Sequence, residues 1–407
     1  MYNVFNRLIT ERMGLLKIAI IDADLVQNIK THRFPNLACM KLSGYYKDRG
    51  HHVVLKLDYD GIGEFDKVFV SKVFSSTNVP EGILNLKNVE YGGTGFFYDE
   101  SPSLPFDIEH SFPDYDLYRD WVEDRMSAGD KRKSMEYYLD YSIGFTTRGC
   151  IRGCSFCVNR NSKKAVIHSN VDEFIDNDKP YICLLDDNVL ACSDWKKIFE
   201  SLIKTNKRFQ YKQGMDERLL TVEKCDYIFN KSKWKGDYIF AFDNIDDSDI
   251  IIKKLKLIRE NTNKKNIKFY VFTGYNHDKI GDYNEDFYAK DIESLLKRIK
   301  ILSDYKCFPY VMRFIDVYNF PYPFKNIYTT IAGWCNQPMF YVSMTLKEFS
   351  VAKGMKVNMW KEYVNKPDEY KFKQGVSWRA ADAFLNSFPE FNKYYNFKGQ
   401  AMKPANK

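Results

Sequence analysis

Short apolar runs alternate with helix-like stretches along most of this 407-residue chain, and this alternation limits the folds that the chain can adopt. In the first hundred residues the predicted strands span 15–22, 52–57, 67–74 and 89–96. A helix-like stretch over 36–50 lies between the first two strands and ends at Gly50. Parallel strands need such a helical crossover, so the pattern predicts a small α/β domain with a Rossmann-like parallel sheet.

A second alternation begins near Tyr141 and predicts six more strands. They span 141–147, 181–186, 208–214, 237–243, 267–273 and 309–315. Apolar residues at helical spacing mark 194–206 and 291–304 as two of the intervening helices. Six β/α units in succession predict a partial (β/α)6 parallel barrel, in which functional residues gather where the strands end.

These patterns divide the chain into four predicted segments. Residues 1–100 form the Rossmann-like domain, and the proline-containing residues 101–138 form a linker. Residues 139–325 form the barrel, and residues 326–407 form a mostly helical C-terminal extension.

Composition narrows the class of protein. Hydrophobic residues make up 44% of the chain and charged residues 28%, and 29 Tyr with 31 Phe favour an ordered core. The net charge of +7 is too small to indicate a nucleic-acid or membrane surface by itself. Arg7, Glu11 and Arg12 argue against a signal peptide, and no apolar run has the length of about 20 residues that spans a bilayer. The sequence therefore predicts a cytoplasmic protein without membrane association, a setting in which crowded cysteines indicate metal binding or catalysis.

Three of the nine cysteines lie within eight residues, at Cys150, Cys154 and Cys157, with the spacing C-x3-C-x2-C. They follow the first predicted strand of the second series. Gly149 and Gly153 allow the backbone to turn tightly around the thiols. Three nearby arginines favour thiolate over thiol: Arg148, Arg152 and Arg160.

The absence of a fourth clustered cysteine is informative about the metal. A structural zinc site normally has four protein ligands, and an electron-transfer cluster has a fourth cysteine. The other six cysteines are scattered singly, and the sequence has no second C-x2-C. Three thiolates from one loop suit a cubane iron–sulfur cluster that keeps one iron open for a ligand.

The stretch FTTRGCIRGCSFC, in which Phe156 precedes the last cysteine, resembles the signature of the radical S-adenosylmethionine (SAM) superfamily. It is especially similar to members with a cobalamin-binding-type domain upstream, and the resemblance covers about 139–316 and, more loosely, the N-terminal sheet. It implies that Cys150, Cys154 and Cys157 bind a [4Fe–4S] cluster whose open iron chelates SAM. Reductive cleavage would give methionine and a 5′-deoxyadenosyl radical, with Phe156 beside the adenine and its backbone contacting the base. The resemblance also implies a cellular electron donor such as a flavodoxin or ferredoxin.

Polar side chains at the predicted strand ends extend the resemblance to further cofactor contacts. The family contacts the SAM amino group after its second strand, where this chain has Asp186, Asp187 and Asn188 in place of the more usual Gly-Gly-Glu. The other predicted cofactor-binding residues are Gln213, Arg218, Asp243, Asn244, Thr273, Gly274 and Arg313. An Asp or Asn after a strand is equally typical of a helix N-cap, so these positions also have a purely structural interpretation.

Cobalamin and the reaction type stay open at the level of sequence. The D-x-H-x-x-G motif of cobalamin-binding domains is absent, because neither Asp22 nor Asp24 has a His two residues later. The sequence therefore favours an N-terminal domain that does not bind cobalamin over one that does. The main hypothesis is a radical SAM enzyme that abstracts hydrogen from a small-molecule, peptide or nucleotide substrate. The alternatives are a cobalamin-dependent radical SAM methyltransferase and a non-catalytic metal-binding or nucleic-acid-binding protein.

Overall fold

The computed structural model describes residues 14–353 and 375–400, which divide into two compact units of mixed α/β structure. The first unit contains the described residues up to Asp186 together with Lys196–Phe209. The second contains Asp187–Trp195 and the described residues from Gln210 onward. Both contain parallel strands with helices packed on them, as the α/β alternation in the sequence predicts.

The first unit begins with a sheet of four parallel strands in the order β2-β1-β3-β4. The strands are β1 (Lys17–Asp22), β2 (His52–Leu55), β3 (Lys67–Ser71) and β4 (Val89–Gly92). All four were predicted, and each is shorter than its predicted span.

Both faces of this sheet are covered, as expected for parallel strands. On one face, Ile18 and Ile20 of β1 pack in a cluster that also contains Tyr118 and Trp121. On the other face, alternate residues of the same strand join a second apolar cluster. The segment 101–138, predicted as a linker, thus supplies buried aromatic side chains to the core of the first sheet.

The α-helices of the described residues are, in chain order, α1 (Ala23–Gln27), α2 (Leu37–Asp48), α3 (Glu81–Leu84), α4 (Thr94–Phe97), α5 (Phe106–Glu109), α6 (Arg119–Ser127), α7 (Glu136–Leu139), α8 (Trp195–Lys204), α9 (Val222–Asp226), α10 (Ser248–Asn261), α11 (Glu285–Asp304), α12 (Phe324–Cys335), α13 (Pro338–Ser343), α14 (Leu346–Ala352), α15 (Val376–Ser387) and α16 (Asn392–Tyr395). The predicted helix over 194–206 is α8. The helix predicted at 291–304 is α11, which begins six residues earlier because Asn284 caps it by accepting from the Phe287 N–H.

Three further strands form a second sheet in the order β5-β8-β9, and two very short strands pair separately as a hairpin. The sheet strands are β5 (Tyr141–Gly144), β8 (Tyr181–Leu184) and β9 (Arg208–Tyr211), and the hairpin strands are β6 (Thr147–Arg148) and β7 (Val166–Ile167). The hairpin was not predicted, because two exposed apolar residues, Val166 and Ile167, are too short a run to show strand periodicity.

The second unit contains the parallel sheet β10-β11-β12. Its strands are β10 (Tyr238–Ala241), β11 (Ile267–Thr273) and β12 (Phe308–Arg313). Met215, which follows β9, pairs in parallel with Phe240 of β10. Beyond β12 the described chain is mostly helical, while 354–374 and 401–407, part of the predicted C-terminal extension, lie outside the described residues.

Among the described residues, no helix combines the length and the apolar sequence that crossing a bilayer requires.

Candidate metal centre

The three clustered cysteines lie on one loop, residues 149–165, that a short hairpin closes; we call it the cysteine loop. Strands β6 and β7 run antiparallel, with Arg148 opposite Val166 and Thr147 opposite Ile167. Just beyond them, the His168 N–H donates to the carbonyl oxygen of Thr146 at 2.9 Å. The two ends of the loop are therefore held side by side immediately after β5.

Within the loop, Cys154 and Cys157 share one tight turn. The Cys157 N–H donates to the Cys154 carbonyl at 3.0 Å, and the Asn159 N–H donates to the Cys157 sulfur at 3.4 Å. On the opposite limb, the Cys150 N–H donates to the hydroxyl of Ser162 at 3.1 Å. All three thiols are half-buried, and none of the nine cysteines, all of which lie in described residues, forms a disulfide.

Two glycines give this loop its path. Gly149 has φ 90° and Gly153 has φ 61°, conformations that favour glycine. A Cβ at Gly149 would lie 2.4 Å from the carbonyl oxygen of Lys164, whereas a Cβ at Gly153 would lie 3.3 Å from that of Arg160. The close approach at Gly149 brings the two limbs of the loop together beside Cys150.

Asp186 fixes the chain just before the loop. Its carboxylate accepts from the Thr146 N–H and hydroxyl at 3.0 and 2.5 Å, and from the Thr147 N–H and hydroxyl at 2.5 and 2.8 Å. Burial raises the pKa of this carboxyl, and the four hydrogen bonds oppose that rise. The structure thus engages Asp186 with the two threonines that lead into the cysteine loop, and its contact with a cofactor stays a prediction.

Glu109 connects both ends of the hairpin to helix α2, which carries Lys41. Its Oε1 lies 3.2 Å from Nη2 of Arg148, 3.3 Å from Nε2 of His168 and 3.2 Å from Nζ of the buried Lys41. Burial alone would raise the pKa of Glu109, but the hydrogen bond from His168 and the charges of Lys41 and Arg148 outweigh it and lower the pKa to about 2. His168 also stacks on His110, whose Nδ1 lies 2.7 Å from a carboxylate oxygen of Glu173.

The far limb of the loop meets residues that follow α4. The Tyr98 hydroxyl donates to the Phe156 carbonyl at 2.5 Å, and Asp99 accepts from Nε and Nη2 of Arg160 at 2.6 and 3.0 Å. Phe156 itself is half-buried. The backbone carbonyl of Phe156 therefore has a donor within the chain.

The predicted cofactor-binding residues of the second unit have protein partners of their own. Arg218 donates to Asp216 at 2.7 Å and to Asp247 at 2.5 Å. The carboxylate of Asp243 accepts from the Phe272 N–H at 3.0 Å, and burial raises the pKa of this carboxyl. These contacts close the turns that follow β9 and β10.

Thr273 and Gly274, at the end of β11, both donate to Asp291. The Thr273 hydroxyl and the Gly274 N–H lie 2.7 and 2.8 Å from the same carboxylate oxygen, which also accepts from the Tyr328 hydroxyl at 2.7 Å. Arg313, at the end of β12, donates to the hydroxyls of Thr329 at 2.8 Å and Tyr318 at 3.2 Å.

The remaining predicted positions differ in exposure. Asn188 is buried and begins the turn after β8, and Asp187 beside it is half-buried. Asn244 is exposed and accepts from the Asp246 N–H at 3.1 Å, as its N-cap interpretation predicts. Gln213 is exposed in the turn after β9. Any role of these four residues in cofactor binding stays a prediction.

Sequence reasoning missed several charged residues that shape these sites. Glu109 ends the four-residue helix α5 and Asp99 lies in a single 3-10 turn, and both elements are too short for a periodic pattern to single these residues out. Asp291 and Arg298 lie on α11, and Arg298 is fully buried, donating to the carbonyls of Phe242 at 2.9 Å and Phe272 at 2.9 Å. The helical spacing of Arg298 from its apolar neighbours Ile292, Leu295 and Leu302 was a signal that could have placed it on the buried face.

Two acidic side chains at and just after the end of β1, Asp22 and Asp24, accept hydrogen bonds from other residues of the chain. Asp22 accepts from the Leu25 N–H at 3.2 Å and the Tyr118 hydroxyl at 2.8 Å, and burial raises the pKa of its carboxyl to about 7. Asp24 accepts from the Val73 N–H at 2.7 Å and the Thr77 hydroxyl at 2.5 Å. At this edge of the sheet, the two carboxylates therefore bind groups of the chain itself.

In residues 14–353 and 375–400, no three His, Cys, Asp or Glu side chains converge as the ligands of a single metal ion would. The cysteine ligands of a cubane bind different irons, so three thiols on one loop can serve a cluster without converging on one point. No model of a known protein family matches the chain, and a search of curated proteins finds no significant match.

Replacing Glu109 with Gln should destabilise the metal-free protein at neutral pH. Loss of one partner of a largely buried ion pair leaves Lys41 uncompensated and should lower the free energy of unfolding by about 3 kcal/mol. Because the folded pKa lies below the ordinary value of 4.5, at about 2, the stabilisation is complete above pH 4.5 and is lost as the pH falls toward 2. Urea unfolding from pH 7 to pH 3 measures both effects.

The exposed Glu100 provides a matched control for Glu109. Glu100→Gln should leave the free energy of unfolding within about 0.5 kcal/mol of the wild type. Equal unfolding free energies for Glu109→Gln and Glu100→Gln at pH 7 would contradict the stabilising role of Glu109.

Asp186→Asn tests whether Asp186 is a structural group. The amide nitrogen of Asn cannot accept from the Thr146 N–H, so a buried donor loses its partner and the metal-free protein should lose about 2 kcal/mol of unfolding free energy. Urea unfolding without metal or SAM measures this, with the exposed Asp172→Asn as control. Unchanged stability together with weaker SAM binding would instead assign Asp186 to the cofactor.

Proposed function

We propose that the chain is a radical SAM enzyme, in which Cys150, Cys154 and Cys157 bind a [4Fe–4S] cluster. The observation that carries the proposal is the cysteine loop: three half-buried thiols, outside any disulfide, on a glycine-shaped loop that hydrogen bonds and ion pairs hold at its start, its base and its far limb. Thiolates are the ligands that iron–sulfur clusters require, and the loop supplies three of them.

The donor chemistry of the loop fits such a cluster. Between Gly144 and Lys164 the chain has no carboxylate that would compete with the thiols for iron. The Asn159 N–H at the Cys157 sulfur is the kind of hydrogen bond that stabilises a metal-bound thiolate. When bound and reduced by an external one-electron donor, such a cluster would supply the electron for reductive cleavage of SAM to methionine and a 5′-deoxyadenosyl radical, and that radical would abstract hydrogen from the substrate.

The chain's own residues would bind and orient rather than react. Half-buried thiols would keep a bound cluster partly away from water. Asp186 holds Thr146 and Thr147, and Glu109 holds Arg148, so the residues leading into Cys150 are fixed before any metal binds. Such preorganisation limits the entropy cost of placing three ligands at once.

The finer architecture is part of the same proposal. We infer that the first sheet is a Rossmann-like domain and that β5, β8, β9, β10, β11 and β12 are the six strands of a partial (β/α)6 barrel. The parallel pairing of β5 with β8, of β10 with β11 and of β11 with β12, together with the parallel pairing of Met215 with Phe240, supports this assignment. Predicted contacts of SAM with strand-end residues would then use groups at the carboxyl ends of these strands.

Cys154→Ala tests the proposed function directly. Anaerobic reconstitution of the wild type should give iron and sulfide near four per chain, an electron paramagnetic resonance (EPR) signal on reduction, and 5′-deoxyadenosine from SAM. The variant should lose the cluster and all SAM cleavage, because two thiols cannot replace three. Its metal-free unfolding free energy should change by less than about 1 kcal/mol, since Cys154 is only half-buried.

Cys39→Ala is a control for the loss of a thiol outside the loop, since Cys39 is buried in the first sheet's core. It should retain iron and sulfide, although its unfolding free energy should fall. Bound zinc in place of iron, or a loaded cluster that leaves SAM intact under every reducing condition, would contradict the proposed function. S-adenosylhomocysteine together with 5′-deoxyadenosine and a bound corrinoid would point to methyl transfer instead.

Gly149→Ala and Gly153→Ala keep all three thiols, so they test whether the backbone shape of the cysteine loop also determines how much iron binds. A Cβ in a positive-φ conformation costs about 1–2 kcal/mol at either position, but only Gly149 would also meet a backbone carbonyl at 2.4 Å. Gly149→Ala should therefore lower the iron content after reconstitution far more than Gly153→Ala, while both keep the far-ultraviolet circular dichroism of the wild type. Equal iron contents in the two variants would contradict this account of the loop.

A further inference from the structure

Two consecutive residues outside the cysteine loop hold its far limb around Cys157. The Tyr98 hydroxyl binds the carbonyl of Phe156, one residue before this cysteine. Asp99 binds the guanidinium of Arg160 through two hydrogen bonds and the side-chain amide of Asn161 at 2.8 Å, three and four residues after Cys157.

The backbone at Tyr98 is in an uncommon conformation. Its φ is 49° and its ψ is −114°, a region that residues with a Cβ rarely adopt. Such conformations persist where surrounding contacts over-determine them, and they cluster at sites that place a neighbouring group. The contacts at Tyr98 include that of its hydroxyl with Phe156 and, through Asp99, those with Arg160.

We propose that Tyr98 and Asp99 are positioning residues for the cluster: together they fix the turn that carries Cys154 and Cys157, and Asp99 neutralises Arg160 beside that turn. The proposal rests on the proposed function for its cluster, but its mechanical part concerns the loop alone. Neither residue is assigned a contact with substrate or with SAM.

The ion pair gives Asp99 a second, electrostatic effect. The hydrogen bond from Arg160 lowers the pKa of the Asp99 carboxyl, so the carboxyl is an anion at neutral pH and the pair carries no net charge. Reduction potentials of iron–sulfur clusters depend on the net charge around them. Removing the carboxylate while keeping Arg160 adds positive charge near the cluster and should make it easier to reduce.

Three full-length variants separate the mechanical and electrostatic effects. Asp99→Asn should accelerate hydrogen exchange of the loop amides in the metal-free protein by about two- to fivefold, the effect of weakening a partly exposed ion pair. After reconstitution it should lose iron to a chelator faster and have a more positive midpoint potential in an EPR-monitored redox titration. Asp99→Asn with Arg160→Gln should return the potential toward the wild type while exchange stays fast, and Tyr98→Phe should accelerate exchange without changing the potential.

Asp140→Asn is the matched control, because Asp140 also pairs with an arginine through two hydrogen bonds, from Arg132 at 2.8 and 2.7 Å. It should leave exchange of the cysteine loop and the midpoint potential at their wild-type values. Loop exchange in Asp99→Asn and Tyr98→Phe that equals the wild type would overturn the proposal. Failure of the wild type to bind iron and sulfide would overturn the proposed function instead, and the exchange comparison in metal-free protein would still decide the mechanical role.

Discussion

The chain between Gly144 and Lys164 carries five cationic side chains and no acidic one. The carboxylates that neutralise its positive charge must therefore come from other segments. Glu109 supplies one at the base of the hairpin, and Asp99 supplies another at the far limb. Asp186 adds a third carboxylate, which binds backbone N–H groups rather than a cation. A loop of this length has too few apolar contacts to fix its own shape, and these polar contacts define it instead.

Carboxylates beyond strand ends recur in both units for a common physical reason. Where neighbouring parallel strands diverge, backbone N–H groups lose their ladder partners and need other acceptors. Carboxylates meet this need as follows: Asp186 accepts from Thr147, Glu217 from Ala241, Asp243 from Phe272 and Asp291 from Gly274. Acidic residues after successive strands are therefore a signature of strand divergence as much as of ligand binding. Glu217 is a limiting case, since burial raises the pKa of its carboxyl to about 8.

Apart from the short hairpin strands β6 and β7, the strands and the position of the cysteine loop could be predicted because they depend on local patterns. The apolar run over 267–273, for example, predicts β11 with its exact bounds, and the spacing of the three cysteines is contained within eight residues. The partners of the strand-end side chains could not be predicted, because they lie far away in sequence: Asp186 binds residues 40 positions earlier. Glu109 was missed for the same reason, since its contacts with Lys41 and His168 join three segments that no periodicity relates.

The structure also changes the electrostatic argument made from sequence. Arg148 and Arg160 favour thiolate only to the extent that their charge is unbalanced, and each is paired with a carboxylate. Their field at the thiols is therefore weaker than the arginine count indicates. Much of the stabilisation of a thiolate at Cys157 must then come from nearer groups, such as the Asn159 N–H. For an iron–sulfur cluster this arrangement favours a low reduction potential, because paired cations compensate little of the negative charge that three thiolates bring.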